Sequence, residues 1–89
     1  MPHILFRHKV SDYGKWRSVF DDGLKMRKDG GEVSSRVFRT ADDPNNIVVF
    51  SEWDNLDNAL KFSRAAELQE AMQQAGVIEQ PEIYFLNEV

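Results

Sequence analysis

Short apolar runs alternate along the chain with longer stretches in which apolar residues recur every three or four positions, and that pattern predicts the elements. Pro2 to Val10 (PHILFRHKV) is rich in β-branched and aromatic residues and stops at Ser11-Asp12, so it reads as a strand. Ser11 or Asp12 caps the next element by accepting a hydrogen bond from an orphan helical N–H. Tyr13, Trp16, Phe20, Leu24 and Arg27 then follow the i, i+3, i+7 spacing of one helix face, with Asp21, Asp22, Lys25 and Lys28 on the other side. Gly30-Gly31 ends that helix. Glu32 to Thr40 (EVSSRVFRT) is a second strand, its polar content suited to an edge, and the turn formers from Ala41 to Asn46 join it to the next as a hairpin. Ile47 to Trp53 (IVVFSEW) is the most apolar strand and is placed centrally. Asp54 is the expected cap of a second helix, supported by Asp57, with an apolar stripe from Leu56 to Ala75, a break near Ser63-Arg64 and an end at Gly76. Glu82 to Asn87 (EIYFLN), following Pro81, is a last, edge strand.

The order β-α-β-β-α-β is that of the ferredoxin-like split βαβ arrangement, an α+β fold with a four-stranded antiparallel sheet and strands 1 and 3 central. Both helices then cover one sheet face. The other should alternate apolar and polar residues if it met water. It does not alternate cleanly: Ile4-Leu5-Phe6, Ile47-Val48-Val49-Phe50 and Ile83-Tyr84-Phe85-Leu86 place large apolar groups on both faces. A second copy packed sheet against sheet about a two-fold axis would cover that surface, so a homodimer with its helices outside is expected.

Composition sharpens this. With 89 residues there is room for one domain, 1–89, and a chain of that size buries only about 60% of its unfolded surface. Cysteine is absent, so neither a disulfide nor a thiolate zinc site reinforces the core. The charge of −4 argues against a nucleic-acid binder. Residues 1–40 carry nine Lys/Arg against five Asp/Glu and residues 41–89 two against ten, so the halves are expected to attract each other. No apolar run reaches the ~20 residues of a membrane span and no secretory h-region opens the chain, which makes a cytoplasmic protein the expectation.

The chemistry-bearing residues are few. There is no nucleophile elbow and no phosphate-binding glycine loop. His3 and His8 lie five apart on one strand, hence on opposite faces, and cannot share a metal; no metal or cofactor is expected. His8 shares a face with Ile4 and Phe6, as a hydrogen-bonded core residue or as a base that is neutral near pH 7. Trp16, Phe20, Trp53, Phe62 and Tyr84 are core aromatics or the lining of a pocket in which the indole N–H groups and the Tyr84 hydroxyl seek partners. Arg7, Arg36 and Glu52 are strand charges that either pair with one another or leave Arg36 to hold a carboxylate or phenolate. Arg27-Lys28 reads as solvated helix surface.

The opening HILFRHKVSDYGKW, the central VVFSEWDNLDNALKF and the closing PEIYFLNEV resemble small proteins of the dimeric α+β barrel superfamily, the group that contains antibiotic-biosynthesis-monooxygenase-like and cyclase-like domains. The resemblance spans nearly the whole chain. It implies a ferredoxin-like homodimer with a pocket between sheet and helices. Relatives include cofactor-independent monooxygenases of aromatic polyketides or quinols, and haem-degrading enzymes. Haem-degrading relatives use a His, a Trp and an Asn where this chain aligns Ala71, Phe62 and Phe6, so the resemblance implies no haem chemistry here. For the polyketide monooxygenases Trp53 matches a functional Trp, whereas Val49 stands in place of an Asn.

The first reading is thus a homodimer binding an apolar or aromatic small molecule, as a cofactor-independent monooxygenase with His8 as base and Trp16, Phe20, Trp53, Phe62, Tyr84 and Arg36 as binding residues. The alternative is a non-enzymatic ligand-binding or stress-related module, or a cyclase or isomerase using the same pocket. Fold carries over between such proteins more readily than activity.

Overall fold

A computed structural model describes residues 1–89. The elements are β1 (Pro2–Lys9), α1 (Tyr13–Asp22), α2 (Leu24–Gly30), β2 (Glu32–Thr40), β3 (Asp43–Trp53), α3 (Leu56–Arg64), α4 (Ala66–Gln74) and β4 (Glu82–Asn87). The strands form one antiparallel sheet in the order β2-β3-β1-β4, with β1 and β3 central as the sequence predicts. This is the ferredoxin-like α+β arrangement, and each expected helix is realised as two shorter ones.

The breaks have local causes. Glycine is a poor helix former, and at Gly23 the backbone N–H is shared between the carbonyls of Val19 and Phe20. The Arg27 side chain folds back over this point and donates from Nη1 to the Phe20 carbonyl at 2.6 Å. Between α3 and α4 the chain is extended at Ala65, one residue beyond the expected Ser63-Arg64. Ser63 there donates its hydroxyl to the Leu60 carbonyl at 2.7 Å. Asp12 caps α1, its carboxylate accepting from Lys15 N–H at 2.9 Å. The cap of α3 is Asn55 rather than Asp54: its side-chain oxygen accepts from Asn58 N–H at 2.8 Å, while Asp54 receives the Asn58 amide. The hairpin is also tighter than the turn formers suggest. β3 begins at Asp43, where Thr40 Oγ1 donates to the Asp43 carbonyl and a bulge shifts the register. Gly31, at φ +115°, closes α2 in a left-handed conformation that an L side chain rarely adopts.

The helices cover the face presented by Ile4, Phe6 and His8 of β1 and by Ile47, Val49, Ser51 and Trp53 of β3. Only 15 residues are buried, so the core is as small as the chain length implies. At its centre Trp53 is fully buried, packs on Phe62 and donates its indole N–H to Ser51 Oγ at 2.9 Å.

The opposite face carries Leu5, Val48 and Phe50, half-buried, beside Phe38, Tyr84 and Leu86, which are 50%, 51% and 38% exposed. The strand charges lie on this face too, but they do not pair with one another. Arg7 binds Glu82 at 2.7 Å and Glu52 sits 3.7 Å from His3, while Arg36 stands exposed opposite Phe50. Arg7–Glu82 and Lys9–Asp43 link the basic first half of the sequence to the acidic second. No helix is long and apolar enough to cross a membrane.

Candidate functional site

The alternation of β1 delivers His8 to the helix-covered face, where α1 lays Trp16 and Phe20 across it. Between them and α3–α4 lies a cavity of about 90 Å³. Its lining is predominantly apolar, and its polar side chains are His8, Ser51, Arg27 and Glu32. The volume is well below the roughly 300 Å³ at which drug-sized pockets begin. It suits a molecule of a few atoms up to a single ring.

His8 is 3% exposed, and neither of its ring nitrogens has a hydrogen-bond partner within the chain. Phe6 and Trp16 meet the imidazole edge to face, at 4.7 and 5.8 Å between ring centroids. Buried polar groups in folded chains are ordinarily paired, because an unpaired one forfeits its hydration without return. Burial, helped by the neighbouring Arg7 charge, lowers the His8 pKa from 6.5 to about 4. The ring is therefore neutral at physiological pH, with one nitrogen able to donate and the other to accept.

The lining also holds an ion pair. Arg27 Nε lies 3.2 Å from Glu32 Oε1, with the side chains 8% and 2% exposed. The guanidinium also lies over the Phe20 ring, 3.8 Å from its centroid. Desolvation raises the Glu32 pKa, and the Arg27 charge acts against that rise.

Of the residues singled out from the sequence, His8, Trp16, Phe20 and Phe62 line this one cavity. Trp53 lies outside its lining, with its indole N–H satisfied by Ser51. Tyr84 and Arg36 are on the other sheet face. Tyr84 is paired with Leu5, whose side chain points away from His8, and its hydroxyl donates to Glu82 at 3.1 Å. Arg27 corrects the expectation of solvated surface. It follows Phe20 by seven residues on the face that carries Trp16, a spacing that already placed it inward. Glu32 gave no comparable signal, since a strand-opening glutamate is ordinarily exposed. Of the positions aligned with functional residues of relatives, Phe6, Val49, Phe62 and Ala71 line the cavity and are apolar, whereas Trp53 does not line it.

No protein-family model and no curated protein matches the sequence. Solved structures do match it over nearly its whole length. A protein of Bordetella bronchiseptica named as a candidate antibiotic biosynthesis monooxygenase superposes with a TM-score of 0.82 at 15% identity, over 99% of this chain and 96% of that one. One from Nitrosomonas europaea with the same designation gives 0.75 at 12% identity, over 100% and 99%. SnoaB of Streptomyces nogalater, described as a cofactor-independent oxygenase, gives 0.74 at 15% identity, over 99% and 94%. The chain therefore has the fold of the antibiotic-biosynthesis-monooxygenase class. The resemblance drawn from its sequence holds at the level of fold.

Proposed function

We propose that this protein is a cytoplasmic homodimer that binds a small, neutral, apolar or aromatic molecule between its sheet and helices and acts on it as a cofactor-independent monooxygenase. The observation that carries the reading is His8, an imidazole with two unpartnered nitrogens facing an apolar cavity. In such a site one ring nitrogen takes a proton from an acidic C–H or O–H of the substrate. The low basicity of the free imidazole opposes that step, and an enolate or phenolate formed beside it supports it by favouring the imidazolium. The substrate carbanion then reduces dioxygen, forming a C–O bond. The imidazolium returns its proton to the peroxide, and loss of the remaining C–H proton with hydroxide, as water, leaves a carbonyl, so all four electrons that reduce dioxygen come from the substrate. The shared fold with SnoaB lends support. Apolar residues at Phe6, Val49, Phe62 and Ala71 leave His8 and the Arg27–Glu32 pair as the groups for this chemistry.

An oxygen electrode tests it with single-ring hydroquinones, matched to the cavity. His8→Ala is expected to lower uptake by at least about a hundredfold, the scale of a positioned acid–base group. Unchanged turnover would remove His8 from the mechanism. Binding without any oxygen consumption in the wild type would favour the ligand-binding module, a reading that the low basicity of His8 supports.

Homodimerisation rests on the face holding Phe38, Phe50, Tyr84 and Leu86. In a chain with so small a core, covering that face adds the apolar burial that the monomer lacks.

A further inference from the structure

The Arg27–Glu32 pair is expensive to bury. Replacing a buried ion pair with apolar side chains is often neutral or stabilising, so stability alone does not account for it. The fold nevertheless accommodates it with care. A Cβ at Gly23 would lie 3.1 Å from Arg27 Nη1, so the glycine that interrupts the first helix also leaves room for the guanidinium. Nη1 is taken by the Phe20 carbonyl and Nε by Glu32 Oε1, which leaves Arg27 Nη2 and Glu32 Oε2 without a hydrogen bond inside the chain. Both residues line the cavity.

We infer that Arg27 and Glu32 are specificity-determining residues that make the cavity selective for neutral ligands: Glu32 cancels the one buried cation, and the pair offers a donor and an acceptor to a single uncharged polar group. The inference rests on the pocket reading and deepens it. With His8 neutral, the side chains around the cavity sum to zero charge. An anion entering such a space loses its hydration and meets an arginine that is already neutralised. A phenol keeps its proton and can both donate to Glu32 and accept from Arg27. Removing either partner unmasks the other, and the cavity should then prefer a ligand that restores neutrality.

Calorimetric titration at pH 7 with toluene, phenol, benzoate and benzylammonium tests this, toluene reporting the cavity itself. Wild-type protein should bind toluene and phenol, with benzoate at least about tenfold weaker than phenol. Glu32→Gln should retain toluene and gain about tenfold or more for benzoate. Arg27→Gln should gain similarly for benzylammonium, and it carries the test if Glu32→Gln does not fold. Wild-type protein that binds toluene but treats phenol and benzoate alike would overturn the inference while leaving the pocket standing. So would a folded variant that binds toluene without its predicted gain. Failure of the wild type to bind toluene would overturn the pocket reading and this inference with it.

Discussion

His8→Leu is expected to stabilise the protein while abolishing oxygen uptake. Leucine is close to histidine in volume and carries no polar atom, so it removes an imidazole whose two nitrogens are buried and unpaired. Leaving such a group unsatisfied costs about 1–3 kcal/mol. For a domain of this size each kcal/mol moves Tm by roughly 4–8 °C, so thermal melts at pH 7 should rise by at least several degrees. The pH dependence should change as well. In the folded chain the His8 pKa is lowered from 6.5 to about 4, so between those values the unfolded state binds a proton that the folded state refuses. His8 therefore makes the protein less stable as pH falls through that window, by on the order of 3 kcal/mol in total, and contributes nothing further above it. Glu32, raised by burial, contributes with the opposite sign in both proteins. The difference between the two stability–pH curves isolates His8: it should widen from pH 6.5 down to about 4. If His8→Leu is destabilising at pH 7, the imidazole is an ordinary core residue and the cavity loses its polar anchor.

Phe38→Asp should leave the fold intact and yield a monomer. Phe38 is half exposed on the open sheet face, outside the buried core, so the change removes little from one chain's own packing. In a sheet-to-sheet dimer the same carboxylate would be buried among Val48, Phe50 and their counterparts, and it should weaken association by at least about a hundredfold. Sedimentation velocity at micromolar concentration should show the wild type as a dimer and the variant at half its mass. A monomeric wild type, or a dimeric variant, would show that this face does not mediate the assembly.

The fold was largely legible because its determinants are local. Turn formers separate short β-rich runs, and Trp16, Phe20 and Arg27 keep helical spacing across the break at Gly23. The only sign of the break in the sequence is Gly23, a poor helix former that helices nonetheless tolerate; the Arg27 bond to the Phe20 carbonyl is not legible there. Strand parity correctly joined His8 to Ile4 and Phe6. Parity within β1 does not place β4, where antiparallel pairing sets Tyr84 against Leu5 and so on the face away from His8. Of the two roles open to Trp53 it takes the core one, because a residue two positions away, Ser51, satisfies its indole N–H. The Arg27–Glu32 pair shows the limit most clearly. Its members lie five positions apart across a helix end and a left-handed glycine, and nothing in the linear pattern says that Glu32 turns inward to meet Arg27.

The central claim is that an apolar cavity holds its ligand through an otherwise unpartnered His8. The most direct measurement is nitrogen NMR of the His8 ring during anaerobic titration with a hydroquinone, whose two hydroxyls can serve the Arg27–Glu32 pair and His8 at once. The unprotonated ring nitrogen should shift as it accepts one hydroquinone O–H. Fluorescence should change at Trp16, which lines the cavity, and not at Trp53, which does not. A hydroquinone that binds while both His8 nitrogens stay unmoved, or that does not bind at all, would contradict a ligand held through His8.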